Sequence, residues 1–163
     1  MGLPSGNWFL NSKERKQLLQ TLQEQFGIDA LPAGVFVQNA AGKVALLSRA
    51  IDEIPFERLR VDSLGLYLGA WQAEGFRLSI EGSQLFAPMA KRNVVVLGDA
   101  QRRAWLKGED IPWEADENHY VIVRHGDDVL GSGKIRQPRA GKDETTIILN
   151  YVPKARRLVV VNE

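Results

Sequence analysis

Apolar residues in the first part of the chain recur first at the period of a helix. The positions that set this period are Leu18, Leu19, Leu22 and Phe26. Asn11 and Glu14 have the spacing of a capping box at the start of the helix. Gly27 then provides a stop, because glycine readily adopts the left-handed conformation that ends many helices. The pattern therefore predicts one helix from Asn11 to Gly27.

The spacing then changes to that of strands. Two apolar runs at 35–37 and 44–47 are separated by N-A-A-G-K, which predicts a β-hairpin. Two further strands are expected within 58–71 and over 76–80, where apolar and polar residues alternate. Residues 81–88 can form a short helical turn that a proline helps to end. A helix followed by a hairpin favours an α+β fold over a βαβ unit.

The run P-M-A-K-R at 88–92 separates the first set of predicted elements from a second set that begins at residue 93. It predicts a boundary between an N-terminal domain, residues 1–90, and a C-terminal domain, residues 91–163. In the second domain, Asp99 is expected to cap a short helix that runs to Leu106, and Gly108 to close it before a loop. Five short strands are predicted, over 93–97, 120–123, 128–135, 145–149 and 158–161. One small helix among five strands predicts a closed or nearly closed β-barrel, which leaves few unprotected edges.

Two segments of the second domain resemble a known family. The run V-V-V-L-G-D-A-Q-R-R-A-W-L-K-G-E-D-I at 94–111, followed by Y-V-I-V-R-H-G-D-D-V-L-G-S-G-K-I at 120–135, resembles a PUA domain, a small RNA-binding pseudo-barrel. The resemblance covers about 70 residues of the C-terminal half. It implies an α+β chain in which an N-terminal α/β pre-PUA domain precedes a C-terminal PUA-like β-barrel.

Three shorter motifs extend the resemblance. L-G-L-Y-L-G at 64–69, W-L-K-G-E-D-I at 105–111 and L-N-Y-V-P-K-A-R-R at 149–157 are similar to the C-terminal region of Sun-family RNA cytosine-5 methyltransferases. Nip-type ribosome-biogenesis factors have a similar two-part plan. The resemblance implies RNA binding in ribosomal or transfer RNA maturation. It does not imply methyl transfer, because that family's chemistry is carried by a separate Rossmann-like domain with paired cysteines.

Composition excludes several kinds of chemistry. The chain has no cysteine, which rules out disulfides, thiolate metal sites and a cysteine nucleophile. No stretch approaches the roughly 20 apolar residues of a membrane span, and the first residues lack the pattern of a signal peptide. These observations predict a cytoplasmic protein.

Motifs that could indicate an enzyme are weak. G-S-G-K at 131–134 lacks the earlier glycine and the following Ser or Thr of a phosphate-binding loop. His119 and His125 are better interpreted as surface histidines than as metal ligands. Asp127 and Asp128 are typical of a hairpin turn. No catalytic residue, metal site or cofactor is predicted.

Positive charge is concentrated near the C-terminus although the net charge is only +1. Residues 134–157 carry seven cations and two acids, a local net charge of +5. These cations and those of the preceding helix could converge on one side of a barrel and contact phosphates. A solvated charged face is the alternative interpretation.

The predicted RNA-binding residues combine cations, a glycine and an aromatic residue. Gly108 would expose backbone amides to a phosphate or base edge, and Trp113 would be an exposed ring for stacking, whereas Trp71 and Trp105 are expected in the core. The full set is Arg102, Arg103, Lys107, Gly108, Trp113, Lys134, Arg136, Lys154, Arg156 and Arg157.

The resulting hypothesis is a non-catalytic RNA-binding adaptor in rRNA or tRNA modification or in ribosome biogenesis. Its expected partner is structured RNA, with an RNA methyltransferase or pre-ribosomal proteins as further candidates. The alternative is a protein-interaction subunit that completes a separately encoded RNA methyltransferase. An enzyme of another kind is a third possibility that the sequence supports least.

Overall fold

The described part of the chain folds into two five-stranded sheets that helices pack against. A computed structural model describes residues 3, 5–48, 65–142 and 144–159. The first half contains β1 (Asn7–Phe9), α1 (Ser12–Phe26), β2 (Val35–Asn39), β3 (Lys43–Leu47), β4 (Leu66–Gln72), β5 (Gly75–Leu78) and α2 (Ile80–Phe86). A 3-10 turn, Ala87–Met89, follows. No helix within the described ranges is long and apolar enough to cross a membrane.

The first sheet is antiparallel, in the order β1-β2-β3-β4-β5. The capping box that begins α1 is confirmed, since the Asn11 side chain accepts from the Glu14 N–H at 2.8 Å and the Glu14 carboxylate accepts from the Asn11 N–H at 3.2 Å. Gly27 ends the helix with φ +70°. The β2–β3 hairpin is also confirmed. Of the strand expected over 76–80, residues 76–78 lie in β5, whereas Ser79 caps α2 and Ile80 begins it. Of the strand expected within 58–71, residues 66–71 lie in β4, whereas 58–64 lie outside the described residues.

The second half contains β6 (Val94–Val96), α3 (Asp99–Leu106), β7 (Ile111–Pro112), β8 (His119–His125), β9 (Asp128–Arg136), β10 (Ile147–Asn150) and a 3-10 turn (Lys154–Arg156). The sheet order is β6-β8-β9-β10-β7, with β6 parallel to β8 and the other pairs antiparallel. The edge strands β6 and β7 do not pair with each other in the part of the chain described, so the sheet is half of a barrel. The α+β class is confirmed.

Two strand expectations in this half were wrong in detail. Residues 111–112, expected in a loop, form β7, because Ile111 is buried and pairs with Ile148. A two-residue strand is too short to produce a periodic pattern. The strand expected at 158–161 is absent at 158–159, where the Leu158 N–H donates to the Leu106 carbonyl at 2.8 Å, and 160–161 lie outside the described residues.

Strand β8 is buried on both faces and joins the two halves. Tyr120 and Ile122 pack into the cluster that contains the apolar face of α1. Val121 and Val123 point the other way and pack into the cluster around Trp105. A strand covered on both faces is continuously apolar rather than alternating, which explains the run Y-V-I-V.

Residues 91–93, at the expected domain boundary, are bound to the end of α1. The backbone N–H groups of Lys91 and Arg92 donate to the Phe26 carbonyl at 2.7 and 3.3 Å. The Arg92 guanidinium contacts the carbonyls of residues 23 and 24, and the Asn93 side chain donates to the carbonyl of residue 25 at 2.6 Å. The last carbonyls of a helix have no partner within it. Here the beginning of the second half supplies those partners, and the halves are tied together at this point.

Candidate nucleic-acid interface

Helix α3 is held at its beginning by two polar contacts. Asp99 was expected to be the cap, but the helix is capped at Gly98, whose N–H donates to the Gln101 side chain at 2.9 Å. Asp99 is the first helical residue and its Oδ1 lies 2.7 Å from Nε2 of His125. The hydrogen bond and charge of His125 lower the pKa of Asp99. The contact between His125 and Asp99 therefore anchors the helix to strand β8.

The end of α3 is a glycine turn. Gly108 has φ +90°, as expected of a residue that ends a helix. The Gly108 N–H donates to the Trp105 carbonyl at 2.9 Å, and the Glu109 N–H to the Ala104 carbonyl at 3.1 Å, which is the Schellman pattern. The expectation that this turn exposes backbone amides was therefore wrong, because helix carbonyls already accept from them. These two amides are therefore not free to donate to a ligand.

Residues 150–158 fold against this turn. The Asn150 side-chain amide donates to the carbonyls of Trp105 and Glu109 at 2.8 and 2.9 Å. Its backbone N–H donates to Asp110 Oδ1 at 2.8 Å. Arg157 lies across Gly108 and donates from Nε to the Val152 carbonyl at 3.0 Å. Two of the sequence motifs that carry the family resemblance, at 105–111 and 149–157, are thus brought into contact by the fold.

Three cations lie at this turn or one helical turn before it, and a fourth, Lys154, lies three residues before Arg157 in the chain. Arg103 and Lys107 are exposed and four residues apart, so they share one face of α3. Lys154 is exposed on the 3-10 turn that leads directly to Arg157. We call this group, Arg103, Lys107, Gly108, Lys154 and Arg157, the α3 turn surface.

Arg102 and Trp105 face inward from the same helix. Trp105 is fully buried, as expected. Arg102 is half-buried, and its Nε is enclosed without a hydrogen-bond partner among the described residues. Trp71 is half-buried and packs edge-on against Phe76, with ring centroids 5.2 Å apart. Arg102 is thus less available to a ligand than Arg103.

Lys134 connects the two halves instead of facing solvent. Its Nζ lies 2.7 Å from Oε1 of Glu74 and 5.6 Å from the centroid of the Tyr120 ring, and its side chain is only 18% exposed. The Tyr120 hydroxyl donates to the other Glu74 oxygen at 3.2 Å. The hydrogen bond from Lys134 is the main reason that the pKa of Glu74 is lowered. Because its charge is already paired, Lys134 fits a structural role better than phosphate binding.

Arg136 and Trp113 lie at the opposite end of the sheet. Arg136 pairs with Ile147, which also pairs with Pro112, the residue before Trp113. Asn150 is three positions after Ile147 in β10, a distance of roughly 10 Å along the strand. The expectation of an exposed Trp113 was wrong, because the ring is half-buried against the cluster around Trp105.

Arg156 points away from its neighbour Arg157. It forms an ion pair with Glu81 at the start of α2 and lines a cleft between the two halves. The same cleft is lined by other cations and aromatic residues that were not predicted from the sequence, namely Lys43, Tyr67, Arg77 and Tyr151. They come from distant segments and share no motif, although Tyr67 and Tyr151 fall within runs that resemble the family.

Comparison with known proteins supports the relationship that these motifs indicate. Residues 92–158 match the family model of the PUA domain of the methyltransferase RsmF. The chain is 29% identical over 126 residues to ribosomal RNA small subunit methyltransferase F of Aeromonas hydrophila subsp. hydrophila, covering 77% of this chain and 26% of that protein. It is 28% identical over 127 residues to the protein of the same name from Aeromonas salmonicida, with the same coverage.

The chain spans about a quarter of the length of these curated relatives. The family match covers a PUA domain and no catalytic methyltransferase domain. Residues 92–158 therefore match a PUA domain, and the chain resembles the accessory region of Sun-family RNA methyltransferases.

Proposed function

We propose that this chain binds structured RNA through its PUA domain and acts as a non-catalytic adaptor in the modification of ribosomal RNA. The observation that carries the proposal is the match of residues 92–158 to the RsmF PUA domain. The names of both relatives point to RNA of the small ribosomal subunit. Residues 1–90 would serve as a pre-PUA domain, and the protein would act in the cytoplasm, with transfer RNA and pre-ribosomal particles as further candidate targets.

The α3 turn surface is the part of this domain best suited to a phosphate backbone. Arg103 and Lys107 repel each other across one turn of helix, at a cost of about 0.2–0.5 kcal/mol for such a pair. An anion placed between them would remove that cost. Phosphate contacts of this kind position RNA without reading its sequence.

The test is the salt dependence of RNA binding. Purified protein would be titrated with small-subunit ribosomal RNA fragments and with transfer RNA across a salt series. Arg103→Gln with Lys107→Gln should weaken binding and reduce the slope of log K against log salt by about 1 per cation removed. The matched control, Lys13→Gln with Lys16→Gln, removes two exposed cations from α1 and should leave both quantities unchanged. Absence of RNA binding at low salt would contradict the proposal.

A second candidate is a protein-interaction subunit for a separately encoded RNA methyltransferase. The observation that favours it is a set of exposed apolar side chains on the first sheet. Phe9 and Tyr67, 40% and 38% exposed, lie at the two ends of one cross-strand row, whose middle residues Val37 and Ala45 are buried and half-buried. Docking through such a face would tolerate high salt, whereas phosphate binding would not. Salt-resistant capture of a methyltransferase, lost in Phe9→Ser, would support this candidate.

A further inference from the structure

A cleft of about 330 Å³ opens between the outer face of the first sheet and the segment after β10. Its size is at the lower end of the range of about 300–1,000 Å³ found for small-molecule sites. We call it the tyrosine cleft. The residues that matter for its chemistry are Lys43, Tyr67, Arg77, Glu81, Tyr151 and Arg156.

A β-bulge places Tyr67 on the cleft side of the sheet. Val44 pairs with Gly69 and the next residue, Ala45, pairs with Tyr67, so Leu68 is the extra residue of β4. Leu68 is fully buried in the core on the opposite face. Residues two apart along a strand, or directly opposite across strands, share a face. The bulge therefore aligns Tyr67 with Lys43, Ala70 and Arg77.

Each tyrosine of the cleft carries a cation close to its ring. The Arg77 Cζ lies 4.8 Å from the centroid of Tyr151, and the Lys43 Nζ lies 5.8 Å from the centroid of Tyr67. Neither cation forms an ion pair with a described residue. Arg156 is paired with Glu81, which is the one acid among the described residues that line the cleft. Among these residues, three cations against one carboxylate give the cleft a positive charge.

Other polar groups of the cleft are already bonded. The Ser132 hydroxyl donates to the Leu78 carbonyl at 2.5 Å, and the Ser79 hydroxyl donates to the Tyr67 carbonyl at 2.5 Å and accepts from the Gly82 N–H at 2.9 Å. The groups that remain for a ligand are Lys43 and Arg77, the aromatic rings and the tyrosine hydroxyls, whereas Arg156 must exchange Glu81 for the ligand. They suit an anionic, planar ligand and offer little for reading the edge of a base.

We propose that the tyrosine cleft binds one unstacked nucleotide of the bound RNA, with the base against the tyrosine rings and a phosphate on Arg77 and Arg156. This inference rests on the proposed RNA-binding function, and it adds a second contact to the α3 turn surface. Stacking on aromatic side chains tolerates any base, so the cleft should accept all four nucleotides with similar affinity. Glu81 competes with the phosphate for Arg156.

The experiment titrates the protein with uridine 5′-monophosphate, with uridine and with inorganic phosphate. Binding is measured from changes in the NMR signals of the backbone and of the arginine side chains. Uridine monophosphate should perturb the signals of Arg77, Tyr151 and Arg156 and bind roughly tenfold more tightly than either fragment, because only it uses both kinds of contact. The other three mononucleotides should bind with similar affinity. A single-stranded oligoribonucleotide should displace it.

The variants separate ligand binding from structural damage. Arg77→Gln and Arg156→Gln should each weaken binding of the nucleotide and the oligonucleotide by roughly tenfold, as expected for loss of a charged contact. Glu81→Gln should strengthen it, which damage to the cleft would not do. Arg139→Gln is the matched control, since Arg139 is an exposed arginine paired with Glu144 outside both surfaces. It should bind as wild type.

The outcomes distinguish the two proposals. RNA binding that depends on Arg103 and Lys107 but is unchanged in the cleft variants would overturn the nucleotide site alone. Failure of both RNA and mononucleotides to bind would overturn both proposals. Mononucleotide binding that RNA does not displace would show a site for free nucleotides, and the cleft would then not be an RNA contact.

Discussion

Arg157 lies across Gly108, so close that a Cβ added at residue 108 would be 2.3 Å from its Nε. Gly108 has φ +90°, a conformation that side chains disfavour. The glycine thus has two roles: it ends α3 and it leaves space for the arginine. The position of a cation on the α3 turn surface depends on that space.

We predict that Gly108→Ala lowers the free energy of unfolding by about 2–3 kcal/mol. The left-handed conformation costs about 1–2 kcal/mol for a residue with a Cβ. Displacing Arg157 also breaks its hydrogen bond to Val152, which contributes about 1 kcal/mol. Urea denaturation measures the change, and RNA titration should show weaker binding as the arginine moves.

The control for this prediction is Gly126→Ala in the β8–β9 turn. Gly126 also has a positive φ, +54°, but nothing lies within 4 Å of a Cβ built there. The free energy of unfolding of this variant should fall only by the cost of the left-handed conformation, about 1–2 kcal/mol. Its RNA binding should equal that of wild type. Equal effects of the two substitutions on RNA binding would show that Arg157 does not depend on the glycine.

A second prediction concerns Asn150, which connects β10 to the turn after α3. Its side chain donates to two carbonyls, of Trp105 and Glu109, and accepts from the Val152 N–H at 2.8 Å. Asn150→Ala should lower the free energy of unfolding by about 2–4 kcal/mol, because three backbone groups lose a partner. Asn118→Ala, which removes one exposed contact to the Gln137 N–H, should cost less than half as much. Similar losses in both variants would contradict this role.

The ends of helices could be predicted from the sequence, because they depend on residues only a few positions apart in the chain. Asn11, Glu14 and Gly27 define α1 through contacts within a few residues, and Gly108 ends α3 for the same reason. Ile111 was missed because its strand exists only through pairing with Ile148, which is far along the chain. Local chemistry predicts helix ends well, whereas short edge strands depend on tertiary pairing.

The environments of the candidate binding residues were harder to predict, because a run of positive charge does not show which carboxylate each cation pairs with. Arg156 and Arg157 are adjacent in sequence, yet one pairs with Glu81 and the other packs on Gly108. Lys134 forms an ion pair with Glu74, which is sixty residues away in the sequence. The cleft residue Arg77 lies outside every run of positive charge. The grouping of these side chains is set by how the two sheets meet, and no single-segment pattern contains that information.

The shared core predicts that the two halves unfold together. Ile122 belongs to the second sheet but is fully buried in the cluster around α1. Ile122→Ala should lower the free energy of unfolding by about 2–4 kcal/mol. In a urea series followed by NMR, amide signals of β5 and of β9 should disappear at the same, lowered urea concentration. If only the β9 signals disappeared at a lower urea concentration, the halves would unfold independently.

The contact between Glu74 and Lys134 predicts a dependence of stability on pH. The pKa of Glu74 is lowered from its ordinary value of 4.5, first by the hydrogen bond from Lys134 and also by its charge. A carboxylate whose pKa is lower in the folded state stabilises the fold above its unfolded pKa and loses that effect as the pH falls through the folded value. The difference in free energy of unfolding between wild type and Glu74→Gln should therefore be constant near neutral pH. It should shrink below about pH 4.5.

Glu114→Gln is the control for this measurement, since Glu114 forms no ion pair with a described residue. The free energy of unfolding of Glu114→Gln should differ little from that of wild type at every pH. Raising the salt concentration should reduce the effect of Glu74→Gln only partly, because the Lys134 side chain is mostly shielded from solvent. If the difference in free energy of unfolding between wild type and Glu74→Gln stayed constant down to pH 3, the Glu74–Lys134 ion pair would not contribute to the stability of the contact between the sheets.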